Sequence, residues 1–257
     1  MPTRRYQHNF SRMVDGAMYN HQARERKANT MLAILQDYLG TTPLRSLRLL
    51  DVGSSTGIIA NYLADYFLEV TGIDIDEEAI DFAAETFQKH NLKFNVDDLM
   101  GLNFPDKTFD VVICAQIYEH VPDAQTMIKE ICRVLKPGGI CYFAAGNRIT
   151  LMEPHYRLPF LSLLPAPLAH LYMRLAGKGS HYHEKHYCLP GLKKLVNGFT
   201  VHDYTKKIIA RPEKFSSDYM LKPGSLKQGI AKFISNYLYW FCPTYIWILQ
   251  KPQKLSS

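Results

Sequence analysis

The chain has 257 residues, 47% of them apolar, with 30 Lys or Arg against 24 Asp or Glu for a net charge of +6. That length and apolar content suit one domain with elaborations around a sizeable core, and no run of about 18 apolar residues is present to form a spanning helix. The five cysteines (Cys114, Cys132, Cys141, Cys188 and Cys242) have no metal-ligand spacing and read as buried thiols of a reducing compartment.

The first residues, with Arg4, Arg5 and His8 among polar neighbours, lack the apolar core of a signal peptide, so a cytoplasmic protein is expected. Ala23–Leu39 reads as a helix with Met31, Leu32, Ile34, Leu35 and Leu39 on its packing side. Arg45–Leu50 reads as a short buried strand, followed by the glycine-spaced loop Asp51-Val52-Gly53-Ser54-Ser55-Thr56-Gly57. Behind the loop, Ile58, Ile59, Tyr62, Leu63 and Tyr66 recur at helical spacing. Such a strand–loop–helix unit leaves backbone N–H groups free at a helix N-terminus, where a polar ligand end can sit. Val70–Asp74 is a second strand closing on a carboxylate, placed to accept from both hydroxyls of a ribose. Phe94–Leu99 and Phe109–Cys114 read as two more strands. A helix over Asp123–Leu135 is stopped by Lys136-Pro137-Gly138-Gly139, and Ile140–Ala145 is the fifth strand. The order predicts a doubly wound parallel α/β sheet.

Taken together, Asp51–Gly57, Asp74, Asp98-Leu99, Phe109–Val112, Glu119-His120-Val121 and Leu135–Gly139 resemble a class I S-adenosylmethionine-dependent methyltransferase over roughly residues 45–145. Ser55 stands where the family usually has its middle glycine. A nicotinamide fingerprint would instead space its glycines G-x-G-x-x-G. The resemblance implies a Rossmann-like sheet of seven strands, the last antiparallel, with S-adenosylmethionine as cofactor. It implies a cofactor site made by Asp51, Gly53, Ser54, Ser55, Gly57, Asp74, Ile75, Asp98, Leu99, Ala115 and Gln116. Within it the glycine loop seats the methionine part, Asp74 the ribose and Asp98 the adenine amino group, while Ala115 and Gln116 line the sulfonium end. Residues 1–43 are expected to form a helical segment over that site, with Tyr19, Asn20 or Arg24 in reach, ahead of a methyltransferase domain at 44–257.

Leu189–Val196 is read as the next helix, with Thr200–Tyr204 and Tyr245–Leu249 as strands six and seven. Two stretches exceed the minimal fold, 147–187 and 205–243, and are expected to recognise the substrate. The first holds Glu153-Pro154-His155-Tyr156 and five of the ten histidines. His155, Tyr156 and His120 are the candidate catalytic groups, because an oxygen acceptor must lose a proton to a nearby base. His181-x-His183-x-x-His186 fits no zinc spacing, and no metal is expected. The second stretch carries seven Lys or Arg against Glu213 and Asp218. No RNA-binding module accompanies it, so nucleic acid is not expected, and the basicity reads as a solvated lysine-rich exterior or as a surface for an acidic substrate or an anionic membrane face. The expected function is methylation, most readily on oxygen, of a small molecule or a lipid- or glycan-linked metabolite. The alternatives are a cofactor-binding, non-catalytic partner subunit, or an RNA or protein methyltransferase. Against the latter, Ala115-Gln116-Ile117-Tyr118 replaces the Asn/Asp-Pro-Pro-Tyr/Phe motif of many amino-directed enzymes. Peripheral membrane contact is kept open by the aromatic stretch Ile234–Leu249 beside basic residues and by the proline-broken apolar stretch Leu158–Met173. Oligomeric state is not legible.

Overall fold

The computed structural model describes residues 18–253, so Arg4, Arg5, His8 and the rest of 1–17 lie outside the described residues. Helix α1 (His21–Leu39) begins where the Asn20 side chain accepts from the Ala23 N–H at 3.0 Å and ends at Gly40, in the left-handed region at φ +60°. A single 3-10 turn, Leu44–Ser46, then uses the Ser46 and Leu47 N–H groups on Pro43 and Leu44 carbonyls. For that reason β1 (Arg48–Val52) starts three residues later than the apolar run suggests.

Next come α2 (Ile58–Ala64), β2 (Glu69–Asp74), α3 (Glu77–Thr86), β3 (Leu92–Val96) and β4 (Phe109–Ala115). The third strand stops short of Leu99 because the Asp97 carboxylate takes the N–H groups of Asp98 (2.9 Å) and Asn103 (3.1 Å) and turns the chain. Helix α4 (Ala124–Val134) is capped by Asp123, which accepts from the Gln125 N–H at 3.0 Å. It ends one residue before the Lys-Pro-Gly-Gly run, since buried Leu135 is already extended and paired with Phe109 as the first residue of β5 (Leu135–Gly146). That run is therefore an irregular start to the strand, with Gly138 at φ +76°, and not a separate turn.

The remaining elements are α5 (Ala166–Leu175), α6 (Leu189–Leu195), β6 (Thr200–Asp203), α7 (Thr205–Ala210), α8 (Leu226–Tyr237) and β7 (Thr244–Gln250). The sheet runs β3-β2-β1-β4-β5-β7-β6, with β7 antiparallel to both neighbours. Central strands are apolar on both faces, as a helix-covered parallel sheet requires. Leu50, Val112 and Phe143 pack towards Met127 and Ile131 of α4 and Leu192 of α6. Their sequence neighbours Leu49, Val111 and Tyr142 pack on the other face, against Ile34 and Leu35 of α1 and Leu63 of α2. The two long stretches take different roles in packing. Residues 147–187 carry a small core of their own, Leu158, Leu161, Ala169 and Met173. Residues 205–243 fasten onto α1, where the Thr30 hydroxyl donates to the Ser216 carbonyl at 2.9 Å and the Lys214 ammonium pairs with Asp37.

Candidate active site

A cavity of about 750 Å³ opens over the carboxyl ends of the central strands, where open α/β sheets bind ligands. At one end stand Asp51 near the end of β1 with Gly53 and Ser55 after it, and Asp74 at the tip of β2 with Ile75 beyond. The loop geometry follows from its glycines. Gly53 and Gly57 sit at φ +72° and +74°, and a side chain on Gly53 would place its Cβ 2.2 Å from Ile117 Cδ1. The Gly53 and Ser54 N–H groups are tied to the Ile73 carbonyl, and the Ser55 N–H donates to Asp74 Oδ2 at 2.8 Å, so the acid at the tip of β2 holds the loop after β1. Ser55, in the position of the family's middle glycine, takes a left-handed φ of +49°. Asp98, Leu99, Ala115 and Gln116 also line the cavity, whereas Ser54, Gly57 and Tyr156 do not. Ser54 is turned inward beneath the loop, 1% exposed, and Gly57 packs beside Ala83 and Phe94. From above, α1 contributes Arg24, Lys27 and Thr30. Of the two residues just before α1 also expected near the site, Asn20 is occupied as the helix cap and Tyr19 packs edge-on against Phe82.

Burial pushes the Asp51 carboxyl up to about 7, with the Arg24 cation opposing and Asp74 adding to the rise. Asp51 Oδ2, the Ser55 hydroxyl and Arg24 Nε, all of cavity-lining residues, are buried without a hydrogen-bond partner. Unpaired buried polar atoms are costly, so this end is built for a ligand with several charged and hydroxyl groups. S-adenosylmethionine, with its ammonium, carboxylate and ribose hydroxyls, fits that demand.

The other end of the cavity is a cluster of imidazoles and carboxylates that three separated segments bring together. His120 follows β4, His155 and Glu153 lie in the loop after β5, and Glu184 and His186 precede α6. His155 Nδ1 lies 2.7 Å from Glu153 Oε1, and the Tyr156 N–H donates to Glu153 Oε2 at 2.7 Å. The His120 and His155 rings meet edge to face with centroids 4.9 Å apart. The Tyr118 hydroxyl is the clasp: it donates to the Gly146 carbonyl (2.6 Å) and accepts from the Tyr187 N–H (3.1 Å), joining β4, β5 and the 184–187 segment. His120, His155 and His186 line the cavity; Tyr156 stands behind them, its hydroxyl 3.4 Å from Glu184. His181 and His183 are placed apart, His181 stacking on His170 and bonding Ser180.

The electrostatics are those of a sealed polar nest. Burial pushes Glu119 up to about 7, opposed by His186. Burial, with the nearby His155 and His186, pulls His120 down to about 3 and keeps it neutral. Burial alone would raise Glu153, but the contacts from His155, His186 and the Tyr156 N–H outweigh it and bring the carboxyl down to about 2. Burial works against charge on His155 too; its Glu153 contact and the surrounding carboxylates prevail and raise it above the ordinary value.

The sequence of residues 50–143 matches the family model described as a methyltransferase domain. That stretch, somewhat over a third of the chain, is similar to the methyltransferase domain. Over 107 residues the chain is 36% identical to the ubiquinone biosynthesis O-methyltransferase of Coxiella burnetii, covering 41% of this chain and 46% of that one. Over 101 residues it is 45% identical to the 2-methyl-6-phytyl-1,4-hydroquinone methyltransferase of Synechocystis, covering 38% and 32%. The chain thus spans about half or less of the length of the curated relatives it matches. The fold is shared more widely. An S-adenosylmethionine-dependent methyltransferase from Mesorhizobium loti superposes with a TM-score of 0.56 at 17% identity, over 86% of this chain and 98% of that one. A chain from a complex of the Haloferax volcanii Trm112 methyltransferase activator with a methyltransferase gives 0.58 at 17% identity, over 96% and 99%. Both inserts, and with them Glu153, His155, Glu184 and His186, lie beyond the matched domain.

Proposed function

We propose that the protein methylates an oxygen of a small or lipid-linked acceptor, using S-adenosylmethionine. One observation carries the reading: a single cavity joins the acid-tipped strands of the cofactor end to the buried imidazole–carboxylate cluster. When bound, S-adenosylmethionine supplies an electrophilic methyl carbon on a sulfonium. The chain's own task is to align the acceptor with that carbon and to take its proton. Asp51 and the Gly53–Ser55 loop receive the amino-acid tail, Asp74 the ribose, and Asp98 with Leu99 the adenine. The acceptor's hydroxyl end meets His120 and His155, and the cluster behind them takes up the proton that the oxygen sheds. The names of two curated relatives, an O-methyltransferase of ubiquinone biosynthesis and a methyltransferase of a hydroquinone, favour a quinone-type acceptor. Purified protein incubated with methyl-labelled S-adenosylmethionine and a small-molecule extract of its source cells should yield a labelled small product. His155→Ala should cut that yield at least tenfold while leaving cofactor affinity unchanged by calorimetry. Label found only in protein or RNA would overturn the assignment.

We further infer peripheral membrane contact through α8. This helix is turned inside out: Gln228 and Ser235 are buried, while Leu226 (82% exposed), Ile230, Phe233 and Tyr237 form an outward apolar stripe. The Gln228 amide anchors the polar side by donating to the Ile209 carbonyl at 2.9 Å and accepting from the Gly224 N–H at 2.8 Å. Lys222, Lys227 and Lys232 flank the stripe, and Trp240 stands exposed beyond it. An apolar stripe edged by lysines suits the interface of an anionic bilayer, and no helix among the described residues is long and apolar enough to cross one. Tyr219 and Met220, from the same insert, line the cavity, so a lipid-linked acceptor has a short route from that surface. Vesicles containing phosphatidylglycerol should pull the protein down at low salt, and Phe233→Asp should abolish this. Equal sedimentation of the two proteins would refute the contact.

A further inference from the structure

We propose that Glu153, His155 and His186 bind one divalent transition-metal ion at the acceptor end of the cavity. The proposal rests on the functional reading above for what the ion does, but not for where it sits. One ligand atom from each of the three residues falls within 4.8 Å of the others. His155 Nδ1 is 2.7 Å and His186 Nε2 3.9 Å from the same oxygen, Glu153 Oε1. Around an ion with ligand bonds of about 2.1 Å, tetrahedral donors stand roughly 3.4 Å apart, so small side-chain adjustments suffice.

A second and independent observation points the same way. The His186 side chain is only 3% exposed, yet neither ring nitrogen makes a hydrogen bond. Buried imidazoles are ordinarily paired, and this one faces the cavity beside a carboxylate that is wholly buried. An acid–imidazole pair needs no third member; a histidine left unpaired next to such a pair completes a ligand set.

The scaffold around the three ligands is stiff. A short loop closed by the Glu153 N–H on the Leu158 carbonyl and the Arg157 N–H on the Glu153 carbonyl sets Glu153 and His155. The Lys185 N–H on the Glu119 carbonyl and the Arg148 N–H on the Tyr187 carbonyl hold His186 from either side. Glu153 Oε2, not needed for the ion, is oriented by the Tyr156 N–H, the kind of outer contact that fixes metal ligands.

Two imidazoles and one carboxylate suit zinc or a neighbouring first-row ion better than magnesium or calcium, which take oxygen donors. Three protein ligands leave a position open, and His155 and His186 line the cavity, so the open position faces the space for the acceptor. An acceptor hydroxyl bound there would lose its proton near neutral pH, as metal-bound water does, and present an oxygen nucleophile to the methyl group. The sequence concealed the site because the His181-x-His183-x-x-His186 spacing draws attention to two histidines that are not ligands. The true partners of His186 lie about thirty residues earlier.

Tag-free full-length protein, stripped with a chelator and dialysed against zinc chloride, should retain one zinc per chain by elemental analysis. His186→Ala and Glu153→Gln should each lose it, while binding S-adenosylhomocysteine as the wild type does, which shows that they are folded. Cobalt chloride in place of zinc should give visible absorption bands in the wild type that His155→Ala removes. Wild-type protein without stoichiometric metal, or variants that hold as much as the wild type, would overturn the site. Undiminished methyl transfer by fully stripped protein would remove the ion from the reaction and leave the methyltransferase reading standing. A stoichiometric zinc that depends on the three residues, in a protein that methylates nothing, would leave the site standing and remove the reaction.

Discussion

Asp74→Ala should weaken S-adenosylhomocysteine binding by about 1–3 kcal/mol, a loss of roughly 5- to 150-fold, with little change in stability. The reason lies in how the carboxylate is held. Burial raises Asp74 above its ordinary value, and the N–H groups of Asp76 and Ser55 only partly oppose that. Deleting the group thus removes a desolvation cost along with its hydrogen bonds, and the two nearly offset one another in the free protein. Binding has no such compensation: the ribose hydroxyls lose a fixed acceptor, and the Ser55 N–H, 2.8 Å from Asp74 Oδ2, loses the anchor that aims its loop. Asp74→Asn, which keeps one carbonyl oxygen, should fall between. Calorimetry checks both, and an unchanged affinity for Asp74→Ala would mean that the sugar lies elsewhere.

The second large effect is on stability. Gly57→Ala should cost roughly 2–5 kcal/mol, lowering Tm by roughly 5–15 °C. At φ +74° an L-residue is strained, and the added Cβ would lie 2.6 Å from both the Ala83 Cβ and the Phe94 ring. Neither neighbour can retreat easily, since Ala83 is buried in α3 and Phe94 belongs to β3. The contrast with Gly53 is useful, because there the obstacle is the flexible tip of Ile117. Thermal and urea unfolding would decide the point. Wild-type stability in Gly57→Ala would show that the turn into α2 does not take the left-handed form.

How much of this was legible beforehand depends on whether a signal is local. The glycine loop from Asp51 to Gly57 and the acid closing the strand at Asp74 are marked by the residues next to them, so local pattern exposed them, although the bond from the Ser55 N–H to Asp74 did not show. Strand ends were read less well. Neither the 3-10 turn before Arg48 nor the Asp97 turn after Val96 changes the apolar pattern that marks a strand. Leu135 was assigned to the helix because a buried leucine satisfies either period, and only its pairing with Phe109 made it a strand residue. His120, His155 and Tyr156 were singled out as chemistry-bearing, but Glu153 and Glu184 were passed over, and His186, considered only with His181 and His183, lines the cavity without them.

The sequence by itself determined the alternating strands and helices, the glycine loop after β1 and the acid at the tip of β2, because each depends on short-range periodicity, turn residues and charge placement. Only the tertiary structure assembled the imidazole–carboxylate cluster, where the ends of β4 and β5 and the segment before α6 meet around Tyr118. Contacts between residues 30 or more positions apart leave no periodic trace, and a buried carboxylate looks the same in a sequence as a solvated one. Likewise, the lysines of the second insert read as a charged exterior until α8 was seen to bury its polar side and show its apolar one.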